Sequence, residues 1–211
     1  MSETVLTLVR HGETAWNAAG RIQGHLDIPL NPTGLAQASA IGERLGGEIF
    51  AAVLSSDLER ALQTARPIVR HSGQTLVRDA RLRERHLGVL QGLTGEEAAL
   101  RHPQAWQAFK ARNPHAPLEG GETLADFSRR VIDLIQELLD AYSGSQVLLV
   151  THGGVLDAAY RHATALPLNA PRDFPIYNAS VNVLHFRAGA WTVKSWGDVG
   201  HLPQELAMDD T

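Results

Sequence analysis

Cysteine is absent from the 211 residues. Disulfide scaffolds, thiolate nucleophiles and thiolate metal sites are excluded together, and the redox compartment stays open. No apolar run approaches the roughly 20 residues of a membrane-spanning helix. The N-terminus, MSETVLTLVRHGE, has no basic segment ahead of a long apolar one. Charge of one sign is also lacking, since 19 Lys and Arg against 23 Asp and Glu give a formal charge of -4. So mild a balance argues against a nucleic-acid or anionic-membrane surface, but it permits a local cationic pocket. Repeats, low-complexity blocks and domain boundaries are not visible. The expectation is a cytoplasmic protein with a single domain over residues 1–211, large enough to bury about 70% of its unfolded surface without crosslinks.

What is present is a series of short apolar runs, each followed by helical spacing. VLTLV (residues 5–9) reads as a buried strand, and DIPLNP after it as an irregular loop. Asn31 and Pro32 then suit the cap and first position of a helix reaching Gly46. AAVLSS (51–56) is a second strand, followed by a helix in which Asp57 is a candidate cap and Pro67 an expected disturbance. A third strand is expected at 75–78. Residues 79–98 have no lasting period, and three glycines mark them as a crossing segment held by turns. Helical pieces over 95–109 break at Pro103. Glu122 and Thr123 open an amphipathic helix with Leu124, Phe127, Val131, Leu134, Ile135 and Leu138 on one side, and Arg129, Arg130, Asp133 and Glu137 toward solvent. QVLLVTHGG is a strand fit for burial on both faces, with a helix after it. SVNVLHFRA and AWTVKSWG form a hairpin at the sheet edge, and an acidic, mobile tail follows from Asp198.

Two of these strands end alike. His11 follows Arg10 at the end of the first, His152 ends the strand beginning at Gln146, and each histidine precedes a glycine. The carboxyl ends of parallel strands face one way, so residues far apart in sequence can meet there. Arg60, one turn into the helix after the second strand, can point back over the same edge. Two guanidiniums and two imidazoles around one point repel each other unless a multiply charged anion sits between them, and Arg matches phosphate in planar bidentate geometry. Imidazole is also an accepted nucleophile that is unprotonated near neutral pH. A zinc site is the competing reading, although HxH and HExxH spacings are absent. An Arg-His pair also marks, more often, a strand running out into solvent, and Arg10 and Arg60 could be structural partners of Glu13 and Asp57.

RHGETAWN, RIQGHLDIPLNPTGLAQA, SSDLERALQTA, LRERHLGVLQG, EGGETLADFSRRV and LLVTHGG, in that order, resemble the histidine phosphatase superfamily in its cofactor-dependent phosphoglycerate mutase branch. The resemblance runs from about Leu6 to His201. It implies an α/β fold: a three-layer α/β/α sandwich with a mostly parallel central sheet and an antiparallel edge strand. It implies His11 as the nucleophile that becomes phosphohistidine, Arg10, Arg60 and His152 as the groups neutralising the phosphoryl oxygens, and Glu84 as proton donor and then base. Asn17, Gln23, Gly24 and Gly153 match phosphate-side and substrate-side positions, and Arg85 could reach a second anionic group. A resident metal or other cofactor is not expected. Glu96, Glu97 and Arg83 read as solvated, His25 as surface or packing, and Trp106 and Phe109 as packing residues or walls of a substrate mouth.

The same resemblance leaves two activities in view. ERHLGVLQGL is close to the mutases, which return the phosphoryl group to the same acid and would need 2,3-bisphosphoglycerate as primer. Against this, the mutases' Lys after that loop is replaced by LTGEE, their Arg-Arg pair has no counterpart in WQAFKARNP, their Asn after the second His-Gly is Gly154, and their loop Tyr is Leu87. The expectation is a metal-independent phosphomonoesterase for small phosphorylated metabolites, with phosphoglycerate mutase as the alternative. A phosphopeptide-binding module is a third class, disfavoured because binding alone has no use for a general acid. The partner expected is a small phosphorylated metabolite, not nucleic acid or membrane, and the chain is a monomer or a homodimer, which the edge hairpin and exposed Trp residues permit without requiring.

Overall fold

The computed structural model describes residues 2–206. Its centre is a six-stranded sheet of β1 (Glu3–Arg10), β2 (Ala52–Ser55), β3 (Leu76–Arg78), β4 (Gln146–Thr151), β5 (Val181–Arg187) and β6 (Ala190–Asp198), in the order β3-β2-β4-β1-β5-β6. The first four strands in that order run parallel, and β5 and β6 are antiparallel. The β5–β6 turn, Ala188-Gly189, has both residues at positive φ (55° and 79°), the geometry that matches the right-handed twist of a hairpin.

Helices cover both faces, as an uninterrupted apolar strand such as β4 requires. On one face, α6 (Leu124–Ala141) and α7 (Gly153–Thr164) pack on Leu6, Leu8, Val147 and Leu149. On the other, α2 (Pro32–Leu45) and α3 (Glu59–Ser72) pack on Val9, Val53, Leu148 and Val150. The segment between β3 and α6 carries α4 (Gly95–Arg101) and α5 (Pro103–Lys110) with a small core of its own around Leu87, Leu90, Ala98 and Leu118. A short α1 (Ala15–Ala18) follows β1.

Caps set several helix starts. The Asn31 side chain accepts from the Gly34 amide at 2.8 Å with Pro32 in the first turn, and the Thr123 hydroxyl accepts from the Asp126 amide at 3.0 Å. Asp57 does not cap α3, because its carboxylate is taken by Arg83 at 2.6 and 2.7 Å. Nor does Pro67 break α3, which continues to Ser72. The neighbouring helix makes room: a Cβ on Gly42 of α2 would lie 2.5 Å from the Pro67 Cβ. The expected mobile tail is also corrected over 198–206, where Asp198 pairs with Arg44, Leu202 is buried and the Leu206 carbonyl accepts from Gln37. Residues 207–211 of that tail lie outside the described residues. The Trp residues expected to be exposed are half-buried.

In an unconstrained helix interior Gly→Ala is stabilising by about 1 kcal/mol. Gly42→Ala is expected to reverse that sign, costing about 1–3 kcal/mol through overpacking against Pro67, whereas Gly47→Ala, facing open space, leaves stability nearly unchanged. The urea midpoints of the two variants check this.

Candidate active site

The site is assembled by strand register. β1 and β4 pair in parallel with Val9 opposite Val150 and Arg10 opposite Thr151, so the next residue of each chain segment is a histidine. The His11 amide donates to the Thr151 carbonyl at 2.9 Å, and the two imidazole rings stand edge to face with centroids 5.1 Å apart. The turn after His11 is fixed by backbone bonds to side chains: the Gly12 amide to Thr64 Oγ1 and the Glu13 amide to Gln37 Oε1. A Cβ on Gly12 would meet the Gly34 carbonyl oxygen at 2.6 Å, which explains the glycine.

Hydrogen bonds fix both tautomers. His11 Nδ1 lies 2.7 Å from the Gly12 carbonyl oxygen, so it carries the proton and leaves the Nε2 lone pair as the nucleophilic position. Arg60 Nε donates to His152 Nδ1 at 3.2 Å, and since a guanidinium can only donate, the His152 proton is on Nε2, 2.8 Å from Ser56 Oγ. Burial first, then Arg60 and other neighbouring cations, holds both imidazoles well below the ordinary value of 6.5. Arg60 is itself fully buried, with Nη1 on the Leu26 carbonyl and Nη2 on the Gly24 carbonyl at 2.8 and 2.7 Å. Burial pulls this guanidinium down to about 10, so it stays charged at neutral pH. Three of its five N–H groups are thus engaged, and the others remain for an anion. Arg10 donates from Nη1 to the Ile176 carbonyl and lies against Gly153. Neither arginine pairs with Glu13 or Asp57, which bond instead to Asn31 and Arg83.

Glu84 reaches the N-terminus of α7. Its Oε2 accepts from the Gly154 amide at 2.9 Å and its Oε1 from the Arg85 amide at 2.7 Å. A Cβ on residue 154 would sit 2.1 Å from Glu84 Oε1, so the glycine in THGG is a condition for seating this carboxylate. Beside it opens a cavity of about 570 Å³ lined by Arg10, Glu84, Arg85, Gly153 and Gly154, by apolar Leu87, Trp106, Phe109, Leu124 and Phe127, and by Lys110, Arg112 and Arg172. Arg85 is buried and donates from Nε to the Glu122 carbonyl at 2.9 Å. Arg112 is steered by the Leu168 carbonyl and Asp157, at 3.0 and 2.6 Å, which leaves Nη1 without a protein partner among the described residues.

Asn17, Gln23 and Gly24 follow β1 and do not line the cavity. The Asn17 amide oxygen accepts from the Thr14 amide at 3.1 Å in a capping box on α1, and the Thr14 hydroxyl also reaches Gln23 Oε1 at 3.0 Å. Gly24, at φ +53°, turns its carbonyl onto Arg60. Several expectations change here. Glu97 is in a capping box with Thr94 and paired with Arg21. His25 is a support, its Nε2 lying 2.8 Å from the Glu84 carbonyl. Arg130 points into the acid loop rather than toward solvent. WQAFKARNP does supply cations to the cavity, as Lys110 and Arg112. Ser56, Lys110, Arg112, Glu122 and Arg130 were not singled out as site residues from sequence, and only Ser56, a hydroxyl at a strand's carboxyl end, carried a local signal. Among the described residues no group of three or more His, Asp or Glu converges as a metal site, and no helix is long and apolar enough to cross a membrane.

Residues 6–199 match the family model of the histidine phosphatase superfamily (branch 1). A metal-independent phosphoserine phosphatase of Arabidopsis thaliana is 45% identical over 202 residues, covering 94% of this chain and 83% of its own. A probable phosphoglycerate mutase of Yersinia pestis is 37% identical, covering 96% of both chains. The solved structure of a mycobacterial glucosyl-3-phosphoglycerate phosphatase superposes with a TM-score of 0.81 at 31% identity, over 92% of this chain and 99% of its own. With RHG and THGG on adjacent strand ends and a family match along nearly its whole length, this chain belongs to the histidine phosphatase superfamily.

Proposed function

We propose that the protein hydrolyses small phosphate monoesters that carry a second anionic group, through a phosphohistidine at His11. The observation that carries this reading is a cavity with a cationic wall that meets a separate strand-end centre through Arg10. The centre is His11, His152, Arg10 and Arg60; the wall is Arg85, Lys110, Arg112 and Arg172. A cavity of about 570 Å³ suits a metabolite rather than a polymer. Two relatives support the substrate class, being phosphatases of a phosphorylated amino acid and of a glucosylated phosphoglycerate.

In the first half-reaction His11 Nε2 attacks phosphorus, the P–N bond forms and the P–O bond to the leaving alcohol breaks. The alcohol oxygen takes the proton of Glu84. Arg10 and Arg60 balance the charge on the phosphoryl oxygens, and the Nε2–H of His152 shifts from Ser56 to one of them, a fixed donor placed where charge develops. In the second half-reaction water attacks phosphorus, Glu84 takes a water proton, and the P–N bond breaks to release inorganic phosphate and the free imidazole. These residues are sufficient without a metal or organic cofactor, and added 2,3-bisphosphoglycerate should not stimulate hydrolysis.

His11→Ala should abolish both turnover and the acid-labile phosphoenzyme trapped by quenching with labelled substrate. Persistence of either overturns the mechanism. In a side-by-side assay, release of phosphate should exceed interconversion of 3- and 2-phosphoglycerate; the reverse would make the enzyme a mutase.

Arg112→Ala should lower kcat/KM for O-phosphoserine or 3-phosphoglycerate about 10–100-fold, the worth of a hydrogen bond to a charged group. Its kcat/KM for p-nitrophenyl phosphate, which lacks a second anion, should stay within about threefold of the unmodified enzyme.

The pH response has a definite sign. Imidazoles held below 6.5 are neutral both at pH 7 and for some interval beneath 6.5, so protonation should not remove the nucleophile at pH 6. Ring-nitrogen NMR shifts of selectively labelled His11 and His152 at pH 6 should be those of neutral imidazole, and imidazolium shifts there would contradict the burial argument.

A further inference from the structure

We propose that Arg130 is the positioning residue of the acid loop, setting the Glu84 carboxyl and the Arg85 guanidinium together through its ion pair with Glu122. This rests on the reading of Glu84 as proton donor. The loop needs such a support, because residues 83–87 belong to no helix or strand. Arg130, on α6, supplies it with five hydrogen bonds. Nη1 donates to the carbonyls of Arg81 and Arg83 at 2.6 and 3.1 Å, Nη2 to the carbonyl of Glu84 at 3.3 Å, and Nε and Nη2 to the two Glu122 oxygens at 2.9 Å each. The guanidinium also lies 5.0 Å from the centre of the Phe127 ring, which lines the substrate cavity.

Glu122 passes the constraint on. Its Oε2 accepts from the His86 amide at 2.8 Å, its own amide donates to the His86 carbonyl at 2.9 Å, and its carbonyl takes Arg85 Nε at 2.9 Å. Burial pushes the Glu122 carboxyl up, but the bonds from Arg130 and His86 outweigh it and hold it below its ordinary value, so it is ionised when it pairs. From the opposite side His25 reaches the same Glu84 carbonyl. With the backbone on either side of residue 84 fixed, its carboxyl falls between the Arg85 and Gly154 amides. Only a planar fork reaches a carboxylate and three carbonyls at once. An ammonium, with three donors on one atom, cannot cover both sides.

A residue acting through the acid has a signature that a merely structural one lacks. Proton donation matters most when the leaving alcohol is a poor leaving group and little when it is a good one. The test measures kcat/KM of the full-length enzyme for phosphate esters ranging from p-nitrophenol to unactivated alkyl alcohols, with thermal melting as the control. Glu84→Gln, Arg130→Lys and Glu122→Gln are compared. Arg130→Lys should lose about 10–100-fold on alkyl esters, the cost of a misplaced catalytic group, and less than about threefold on p-nitrophenyl phosphate. Glu122→Gln should show the same slope at smaller amplitude. Equal loss across the series, or no loss, would overturn the proposal; if the lysine variant does not fold, the near-isosteric glutamine variant decides. A flat response of Glu84→Gln would sink the proton-donor reading itself. A steep response there with flat Arg130→Lys and Glu122→Gln would overturn the positioning role alone.

Discussion

Everything at this site depends on the burial of a guanidinium beside two neutral imidazoles. Two imidazoles 5.1 Å apart share a buried position with the Arg60 guanidinium, to which no carboxylate is bonded among the described residues. Burying a cation costs several kcal/mol even after relaxation, and the charges of Glu84 and Asp27 offset part of that cost. The fold meets that cost with carbonyl oxygens from residues 24 and 26 and with the neutrality of both histidines. In the proposed reaction a phosphoryl group adds negative charge beside the guanidinium. On that reading the gain is largest when charge on the phosphoryl oxygens is greatest.

The rest of the architecture keeps that arrangement from relaxing. Parallel pairing of β1 with β4 places His11 and His152 together, and a one-residue slip would turn every core side chain of a strand to the wrong face. Packing of α2 and α3 on one face, and of α6 and α7 on the other, makes such a slip prohibitive. Glycines enter where the backbone must pass close to something else. Gly12 crosses Gly34, Gly24 turns its carbonyl to Arg60, and Gly154 leaves room for Glu84.

The part of this that was legible in the sequence is the part carried by local pattern. Apolar runs ending in His-Gly marked the two central strands and their exits, because burial on both faces forces continuous hydrophobicity. Caps such as Asn31 were readable for the same local reason. Asp57 misled because its outcome is decided by a partner distant in sequence, Arg83. Arg130 misled more deeply. It falls on the polar side of an amphipathic helix, where the helical period predicts solvent, and only the crossing of the acid loop turns that side into an interior. Lys110 and Arg112 were invisible as cavity residues because α5 and the loop beyond it have no repeat that reports which side faces Glu84.

The asymmetry of the cavity bears on which acceptor takes the phosphoryl group. A mutase must turn a small intermediate end for end within the site, so both of its ends have to fit both places. Here the two ends differ in kind. The phosphoryl side is enclosed by buried groups, while the distal side pairs a cationic wall with the apolar surfaces of Trp106, Phe109, Leu87 and Leu124. A second phosphate is well matched to guanidiniums but poorly to the indole and phenyl rings beside them. In the proposed substrate pose, with the carbon skeleton on those rings and the acid group at Arg112, an ester has one favourable orientation. On the proposed mechanism, once its phosphoryl group is on His11 the alcohol has no equally good second pose from which to take it back, and water is left as the acceptor.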